Sequence, residues 1–152
     1  MLEGHVSTLW KFEHTVRVRA SREAAWAYWS NVANWVEVDP AVEWARIDGA
    51  FETGSRGETK PIGAPANAWT LADVEAGRRA VIAMRVPGAE VRFAWSFGDG
   101  PDAGVVLTQV VEVLGDDLKP FAEALDAMAV GIPPAMLKLA TAIDRYAAGP
   151  PN

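Results

Sequence analysis

His14 is the side chain in this sequence best suited to proton transfer, because an imidazole titrates near neutral pH. It alternates with Phe12, Val16 and Val18, which places it on the apolar face of a predicted β-strand. There it could act as a general base or donate a hydrogen bond to a bound molecule. The more common situation is a core histidine that bonds a nearby hydroxyl or backbone group. The other histidine, His5, lies close to the N-terminus and is assigned no role.

Three acidic residues, Glu37, Asp39 and Glu43, could suggest a metal site or a pair of catalytic carboxylates. Their spacing matches no metal-binding signature, and no second histidine accompanies His14. The simpler interpretation is a solvated loop in which Asp39 caps a turn. Because the chain has no cysteine, disulfides, thiolate metal sites and a cysteine nucleophile are excluded. We therefore predict neither a metal ion nor another cofactor.

Two more polar residues fall in predicted strands. Gln109 lies between Leu107 and Val111, so it could be a single polar group inside a pocket or could bond the edge of a neighbouring strand. Asp73 is predicted to face inward near the end of its strand, where a solvated carboxylate is a simpler interpretation than a buried catalytic acid. The sequence contains no Gly-x-Ser-x-Gly, phosphate-loop or dinucleotide-binding motif.

The elements that must position these residues are mostly strands. Ser21 is a candidate N-cap for the first of two short helical segments, Ala24–Ser30 and Asn31–Trp35. Turn residues such as Pro87-Gly88 separate the strands that follow. The predicted strands are Trp10–Ala20, Val42–Asp48, Arg56–Pro61, Ala68–Val74, Arg79–Val86, Glu90–Phe97 and Val105–Leu114.

Turn geometry predicts the register of two hairpins. A tight turn at 86–89 pairs Val86 with Ala89 and places Arg85 opposite Glu90 on the outer face, beside Arg92. These arginines are therefore not expected to form an anion-binding clamp. A tight turn at 75–78 would in the same way pair Val74 with Arg79, Leu71 with Ile82 and Trp69 with Met84. One face then holds Trp69, Leu71, Ile82, Met84, Val91, Phe93, Trp95 and Phe97.

A long amphipathic helix is predicted over 116–147. Asp116 or Asp117 can cap it, and Gly149-Pro150-Pro151 ends it. Gly131 and the pair Pro133-Pro134 predict a kink or short break that separates about 117–130 from about 133–147. The bend could follow the sheet or serve as a hinge that admits ligand. The apolar stripe comprises Phe121, Leu125, Met128, Ile132, Met136, Leu139, Ile143 and Tyr146.

Size and composition are those of one globular domain, residues 1–152. The formal net charge of −6 argues against nucleic-acid binding. We expect a soluble cytoplasmic protein, because we find neither a signal peptide nor a membrane-spanning run. Seven tryptophans suggest either a large apolar volume to line or a bulky core.

Four short sequence motifs, in this order along the chain, resemble those of one protein family. They are Val18–Trp26 (strand, Ala-Ser, acidic residue, Trp), Asn34–Pro40 (Asn-Trp…Asp-Pro), Gly49–Gly57 (Gly-x-Phe-x-x-Gly-Ser-x-Gly), and Val105–Thr108 followed by Gly115. On these residues the chain resembles the START-like (SRPBCC) superfamily, specifically its polyketide cyclase/dehydrase and lipid-transport type. The resemblance extends over essentially the whole chain.

The resemblance implies an α+β helix-grip fold. In this fold a curved seven-stranded antiparallel sheet wraps around a long C-terminal helix and leaves a deep apolar cavity between them. Members of the superfamily bind lipids, hormones and polyketides, and some catalyse cyclisation, dehydration or dioxygenation. Fold analogy alone does not choose among these functions.

The leading hypothesis is binding of a small hydrophobic molecule, such as a lipid, polyketide or aromatic metabolite, oriented by His14, Gln109 or a tryptophan N–H. The alternatives are a cyclase/dehydrase-type enzyme in which His14 moves a proton, and a ligand-free protein-interaction module. A homodimer could form through Trp10, Trp44 or the outer sheet face. The predicted ligand-binding residues are Phe12, His14, Trp35, Trp69, Leu71, Ile82, Met84, Phe93, Trp95, Gln109, Leu125, Met128, Ile132 and Met136.

Overall fold

The computed structural model describes residues 8–149, so His5, Pro150 and Pro151 lie outside the described residues. Seven strands form, and every predicted strand is present with ends that differ by at most two residues. The pattern of alternation therefore located the strands well. They are β1 (Thr8–Val18), β2 (Val42–Asp48), β3 (Arg56–Pro61), β4 (Asn67–Glu75), β5 (Arg79–Val86), β6 (Ala89–Asp99) and β7 (Val105–Gly115).

All seven strands belong to one antiparallel sheet with the order β1-β7-β6-β5-β4-β3-β2. The first strand pairs with the last, so β1 and β2 are the two edges of an open sheet. Its inner face is covered by the long C-terminal helix, which packs against β1, and by the short helices after β1. The predicted α+β architecture, a seven-stranded antiparallel sheet with a long C-terminal helix, is confirmed.

The predicted register is right for one hairpin and partly wrong for the other. β5 and β6 pair as expected, with Val86 opposite Ala89, although Glu90 forms its ion pair with Arg92 rather than with Arg85. Between β4 and β5 the predicted pairing of Val74 with Arg79 is wrong, because Glu75 occupies that position.

The turn between β4 and β5 explains this error. It is a three-residue loop that contains Gly77 in the left-handed region at φ 78°, rather than a two-residue loop. A bulge between Leu71 and Asp73 then restores the predicted pairing of Leu71 with Ile82. Asp73 faces Val81 and lies 2.9 Å from Arg79 with 44% of its side chain exposed, so it is a solvated carboxylate rather than a buried acid.

Two helical segments follow β1. Helix α1 spans Arg22–Trp29, and the Ser21 side chain caps it by accepting the Ala24 N–H at 3.2 Å. The second segment is longer than predicted: a 3₁₀ turn at Val32–Asn34 continues into α2, Trp35–Val38. It ends just before Asp39, whose side chain accepts the Ala41 N–H at 3.0 Å in the expected turn.

Short 3₁₀ turns at Pro101–Ala103 and Lys119–Phe121 precede β7 and α3, which spans Ala122–Ala148. Helix α3 therefore starts later than predicted, and it ends as predicted at Gly149 (φ 78°). Of the kink or short break predicted near Gly131, the break is wrong, because α3 is helical throughout and includes Pro133 and Pro134. The two prolines leave the Ala129 and Val130 carbonyls without intrahelical donors. Val130 is exposed and Ala129 is half-buried, so water can solvate the Val130 carbonyl.

By length and composition alone, the segment Lys119–Ala148 could cross a membrane. In the fold four residues of its apolar stripe, Leu125, Met136, Leu139 and Ile143, are each at most 3% exposed. Burial of one apolar stripe against a sheet is the ordinary behaviour of a core helix.

The carboxylate of Asp144 ties α3 to the end of β1. One of its oxygens accepts the backbone N–H groups of Arg19 (3.0 Å) and Ala20 (2.9 Å). We expect Asp144→Ala to lower the free energy of unfolding by about 1–3 kcal/mol, because two backbone donors would lose a charged acceptor. Urea unfolding monitored by tryptophan fluorescence measures this change. An Asp144→Asn variant, which can retain one acceptor oxygen, should recover part of the loss; unchanged stability in both variants would contradict the role of this contact.

Candidate functional site

A cavity of about 370 Å³ lies between the inner face of the sheet and α3. This volume is within the range of small-molecule pockets in proteins. The sheet contributes residues from β2 to β7, and the floor is closed by α1, α2 and the turn that follows α2. The cavity therefore lies where the predicted fold requires one, under the middle of the C-terminal helix.

Four tryptophans form a continuous aromatic wall along this cavity. Their rings follow one another in the order Trp69, Trp35, Trp29 and Trp95, with centroid distances of 5.4, 6.0 and 5.2 Å. All four residues line the cavity. The tryptophans thus line the cavity and leave it open. A row of ring faces and edges favours a flat or aromatic guest, because aromatic groups pack well in tilted and stacked arrangements.

Local contacts hold two of these rings in place. The Trp35 indole N–H donates to the Trp29 carbonyl at 2.7 Å, and the Trp69 N–H donates to the Thr59 hydroxyl at 2.9 Å. Trp69 lies opposite Gly57 across β3 and β4, and its ring covers the place where a side chain would be. These contacts fix the aromatic wall before any ligand arrives, which lowers the entropic cost of binding.

The opposite wall of the cavity is provided by α3. Four of its five lining residues belong to the predicted stripe, whose members are spaced three or four apart along one helix face, and Ala135 lies beside them. Methionine side chains adapt to guests of different shape. This wall comprises Met128, Ile132, Ala135, Met136 and Leu139.

Polar side chains occupy two separate parts of the lining. Asp39, Thr59 and Asn67 lie on the side of the cavity formed by the β2–β3 end of the sheet. Gln109 lies on β7, near the other end of the sheet, and its side chain is 7% exposed. The rest of the lining is almost entirely apolar, so these groups set the polarity of the site.

Ten of the predicted ligand-binding residues line this cavity. Most of them come from the shared inner face of β4, β5 and β6 and from the helix stripe, which are the two patterns that the sequence displayed most clearly. They are Trp35, Trp69, Ile82, Met84, Phe93, Trp95, Gln109, Met128, Ile132 and Met136.

The other four predicted residues lie outside the lining. Phe12 stacks against Trp10 at the β1 edge, with ring centroids 6.1 Å apart. Leu71 and Leu125 are buried in the core, at 0% and 3% exposure. His14 is half-buried on the inner face of β1, next to Gln109 on β7, but it is not part of the cavity wall. Helix α3 packs against β1, the strand that carries His14.

The other ten residues that line the cavity were not predicted from the sequence. Trp29 had a detectable signal, since it lies in a short helix with a second tryptophan, and Leu139 belongs to the helix stripe. The others come from the turn after α2 and the strands beside it, whose position over the cavity no local pattern reveals. The missed residues are Trp29, Val38, Asp39, Ala41, Val42, Thr59, Pro61, Asn67, Ala135 and Leu139.

A second, more open depression of about 800 Å³ lies on the outside, along the C-terminal half of α3. It carries charged residues, among them Glu37, Lys138 and Arg145, and its two tyrosine rings, Tyr28 and Tyr146, lie 5.6 Å apart. Burial raises the pKa of the Tyr28 hydroxyl, and the nearby Glu37 carboxylate raises it further. This open, charged groove is less suited than the inner cavity to holding an apolar molecule.

Among residues 8–149, no three histidine, aspartate or glutamate side chains come together in a way that could hold a metal ion. Of the three acidic residues singled out in the sequence, Asp39 lines the cavity, and Glu37 and Glu43 do not. The features of the cavity that bear on ligand binding are its shape and its few polar side chains.

A family model described as polyketide cyclase / dehydrase and lipid transport matches residues 10–144. The chain belongs to this family. The resemblance to the START-like (SRPBCC) superfamily is thereby confirmed. No curated protein sequence matches the chain at a significant level.

Solved structures share the fold of this cyclase/dehydrase-family chain at low sequence identity. The Zhui aromatase/cyclase from Streptomyces sp. R1128 superposes with a TM-score of 0.74 at 16% identity, covering 95% of this chain and 99% of that one. Truncated norcoclaurine synthase from Thalictrum flavum gives 0.70 at 11% identity, covering 94% and 98%. The di-domain ARO/CYC BexL from the BE-7585A biosynthetic pathway gives 0.71 at 15% identity, with 93% of this chain but only 51% of BexL covered. At these identities the likeness shows the helix-grip fold.

Proposed function

We propose that this protein binds a small, flat hydrophobic molecule in the cavity between the sheet and α3. The observation that carries the proposal is the aromatic wall: Trp69, Trp35, Trp29 and Trp95 are held in sequence along a cavity of about 370 Å³. Transfer of an apolar guest from water to such a site is favourable, and tilted ring contacts add specificity for aromatic or conjugated molecules. The family to which the chain belongs supports the same class of ligand.

A second candidate is a cyclase/dehydrase-type enzyme that uses the same cavity. The family description and the likeness to aromatase/cyclase structures favour it. In such an enzyme the cavity would hold a flexible chain with its reacting carbons close together, which by itself lowers the barrier. Direct proton transfer by His14 receives no support from the geometry, because its side chain is not in the cavity wall.

Equilibrium dialysis against 2-ethylnaphthalene, a flat apolar probe, tests the binding proposal. We expect saturable binding at one site per chain, together with a change in tryptophan fluorescence, because the four lining indoles would contact the probe. Native mass spectrometry of the purified protein would show whether a hydrophobic ligand accompanies it. Binding that rises linearly with probe concentration and never saturates would contradict the proposal. Conversion of a bound polyketide chain to a cyclised product would instead establish the enzyme.

A further inference from the structure

Gln109 is the one polar side chain that is buried among residues 8–149, with 7% of its surface exposed. It lines the cavity, and no hydrogen bond joins its carboxamide to another group within this part of the chain. Within residues 8–149, only Arg22 Nε is a side-chain nitrogen or oxygen atom that is fully buried and has no hydrogen-bond partner. The unpartnered carboxamide atoms of Gln109 therefore keep some exposed surface. The exposed remainder of the Gln109 amide therefore faces the cavity. A buried polar group without a partner is unusual, because most such groups are hydrogen-bonded.

Among the cavity-lining side chains near Gln109, N–H donors outnumber acceptors. Trp95 lies directly opposite it on β6, and the Trp29 ring lies 5.2 Å from the Trp95 ring. Trp29 is 3% exposed and lines the cavity, and its indole N–H has no partner among the described residues. A carboxamide supplies two N–H donors and one carbonyl acceptor, and an indole supplies one donor. This end of the cavity is therefore suited to an oxygen acceptor on the guest.

The remaining polar lining groups lie toward the other end of the sheet from Gln109. Thr59 lies on β3, which is four inter-strand steps from β7 in the sheet order. At about 4.8 Å per step this corresponds to roughly 19 Å along the sheet surface. Between these two polar parts of the cavity the lining is nearly apolar. The orientation of a bound guest therefore depends on which end of the guest carries an oxygen atom.

We propose that Gln109 determines specificity by hydrogen-bonding a ketone, quinone or phenol oxygen at one end of an otherwise apolar ligand. This inference rests on the binding function proposed above and specifies its substrate class. A guest with an oxygen at that end satisfies the buried carboxamide, whereas a pure hydrocarbon would cover it without a partner. The aromatic wall binds both guests, and Gln109 distinguishes them.

Two probes of nearly the same shape, 2-acetylnaphthalene and 2-ethylnaphthalene, differ by a carbonyl in place of a methylene and test this directly. By equilibrium dialysis we expect the wild-type protein to bind the ketone about tenfold more tightly than the hydrocarbon. In Gln109→Met, whose side chain is close in length but apolar, the preference should disappear or reverse. Thr108→Val is the matched control: Thr108 lies next in the chain on the outer face, where its hydroxyl bonds Thr15, and its loss should leave the preference intact.

A spectroscopic measurement on the wild type makes the test independent of how well the variant folds. The infrared carbonyl stretch of bound 2-acetylnaphthalene should shift to lower frequency than in an alkane solvent, as a hydrogen-bonded ketone requires. Equal binding of both probes by the wild type, a preference that persists in Gln109→Met, or an alkane-like carbonyl frequency would each overturn the role of Gln109. If neither probe binds the wild type, the binding function itself has failed, and that outcome is distinct from the others.

Discussion

Replacement of Ala135 by phenylalanine is expected to weaken binding of 2-ethylnaphthalene strongly while the protein remains folded and at least as stable. Ala135 lines the cavity from α3, between the lining residues Ile132 and Met136. A benzyl group at this position would occupy a large part of the space of about 370 Å³ without displacing a packed side chain. Filling a cavity with an apolar group removes apolar surface from water and commonly stabilises a protein. We expect the affinity to fall at least about tenfold, a loss that equilibrium dialysis can measure.

The control for this variant is Ala127→Phe. Ala127 belongs to the same helix but is exposed, so the added ring would lie outside the cavity. Its binding affinity should stay within about twofold of the wild type, since exposed substitutions rarely change more than a few tenths of a kcal/mol. If Ala135→Phe binds the probe as well as Ala127→Phe does, the probe occupies some other place, such as the outer groove along α3.

Substitution of Gly57 by alanine is expected to lower both the stability of the protein and its affinity for the probe. A Cβ atom there would lie 2.3 Å from two carbons of the Trp69 ring and 2.6 Å from the Arg46 carbonyl oxygen. The ring would have to move away from β3, which would break the Trp69 to Thr59 hydrogen bond and displace the aromatic wall. We expect the free energy of unfolding to fall by about 1–3 kcal/mol, or more if the backbone also shifts. Probe affinity should fall as well, because Trp69 lines the cavity.

The same chemical change at Gly131 provides the control. Gly131 lies in the exposed part of α3, and a Cβ atom there meets no heavy atom within 4 Å. Gly131→Ala should therefore stabilise the protein by up to about 1 kcal/mol, because alanine is the better helix former. Urea unfolding curves of the two variants should lie on opposite sides of the wild-type curve. A Gly57→Ala midpoint equal to that of the wild type would show that Trp69 does not depend on this glycine.

Local patterns determined most of the elements. Strict alternation located the strands to within two residues, because one face of each strand must meet the core and the other must not. Ser21 and Gly149 marked a helix start and a helix end, since these residue types satisfy or terminate the backbone at such points. The shared inner face of β4, β5 and β6 and the stripe on α3 together supplied most of the cavity lining that could be predicted.

The remaining features depended on contacts between distant parts of the chain. His14 and Gln109 both face inward from neighbouring strands, yet Gln109 lines the cavity and His14 does not, a difference that alternation along each strand does not show. The bulge in β4 compensates for a turn of a different length, a correction that the turn residues alone do not show.

The C-terminal helix and the aromatic wall also combine features that local sequence predicts with features that tertiary contacts decide. The sequence alone predicts a kink or short break near Gly131, Pro133 and Pro134, yet α3 continues through these residues without a break, and Val130 one turn earlier is open to water. Trp29 and Trp35 become cavity residues because α1 and α2 fold back under the sheet, where their rings meet Trp69 and Trp95. Amino-acid sequence thus determined the elements and their buried faces, through local sterics and alternation. Tertiary packing decided which buried positions touch open space, because an unfilled volume is a property of several elements together and of none alone.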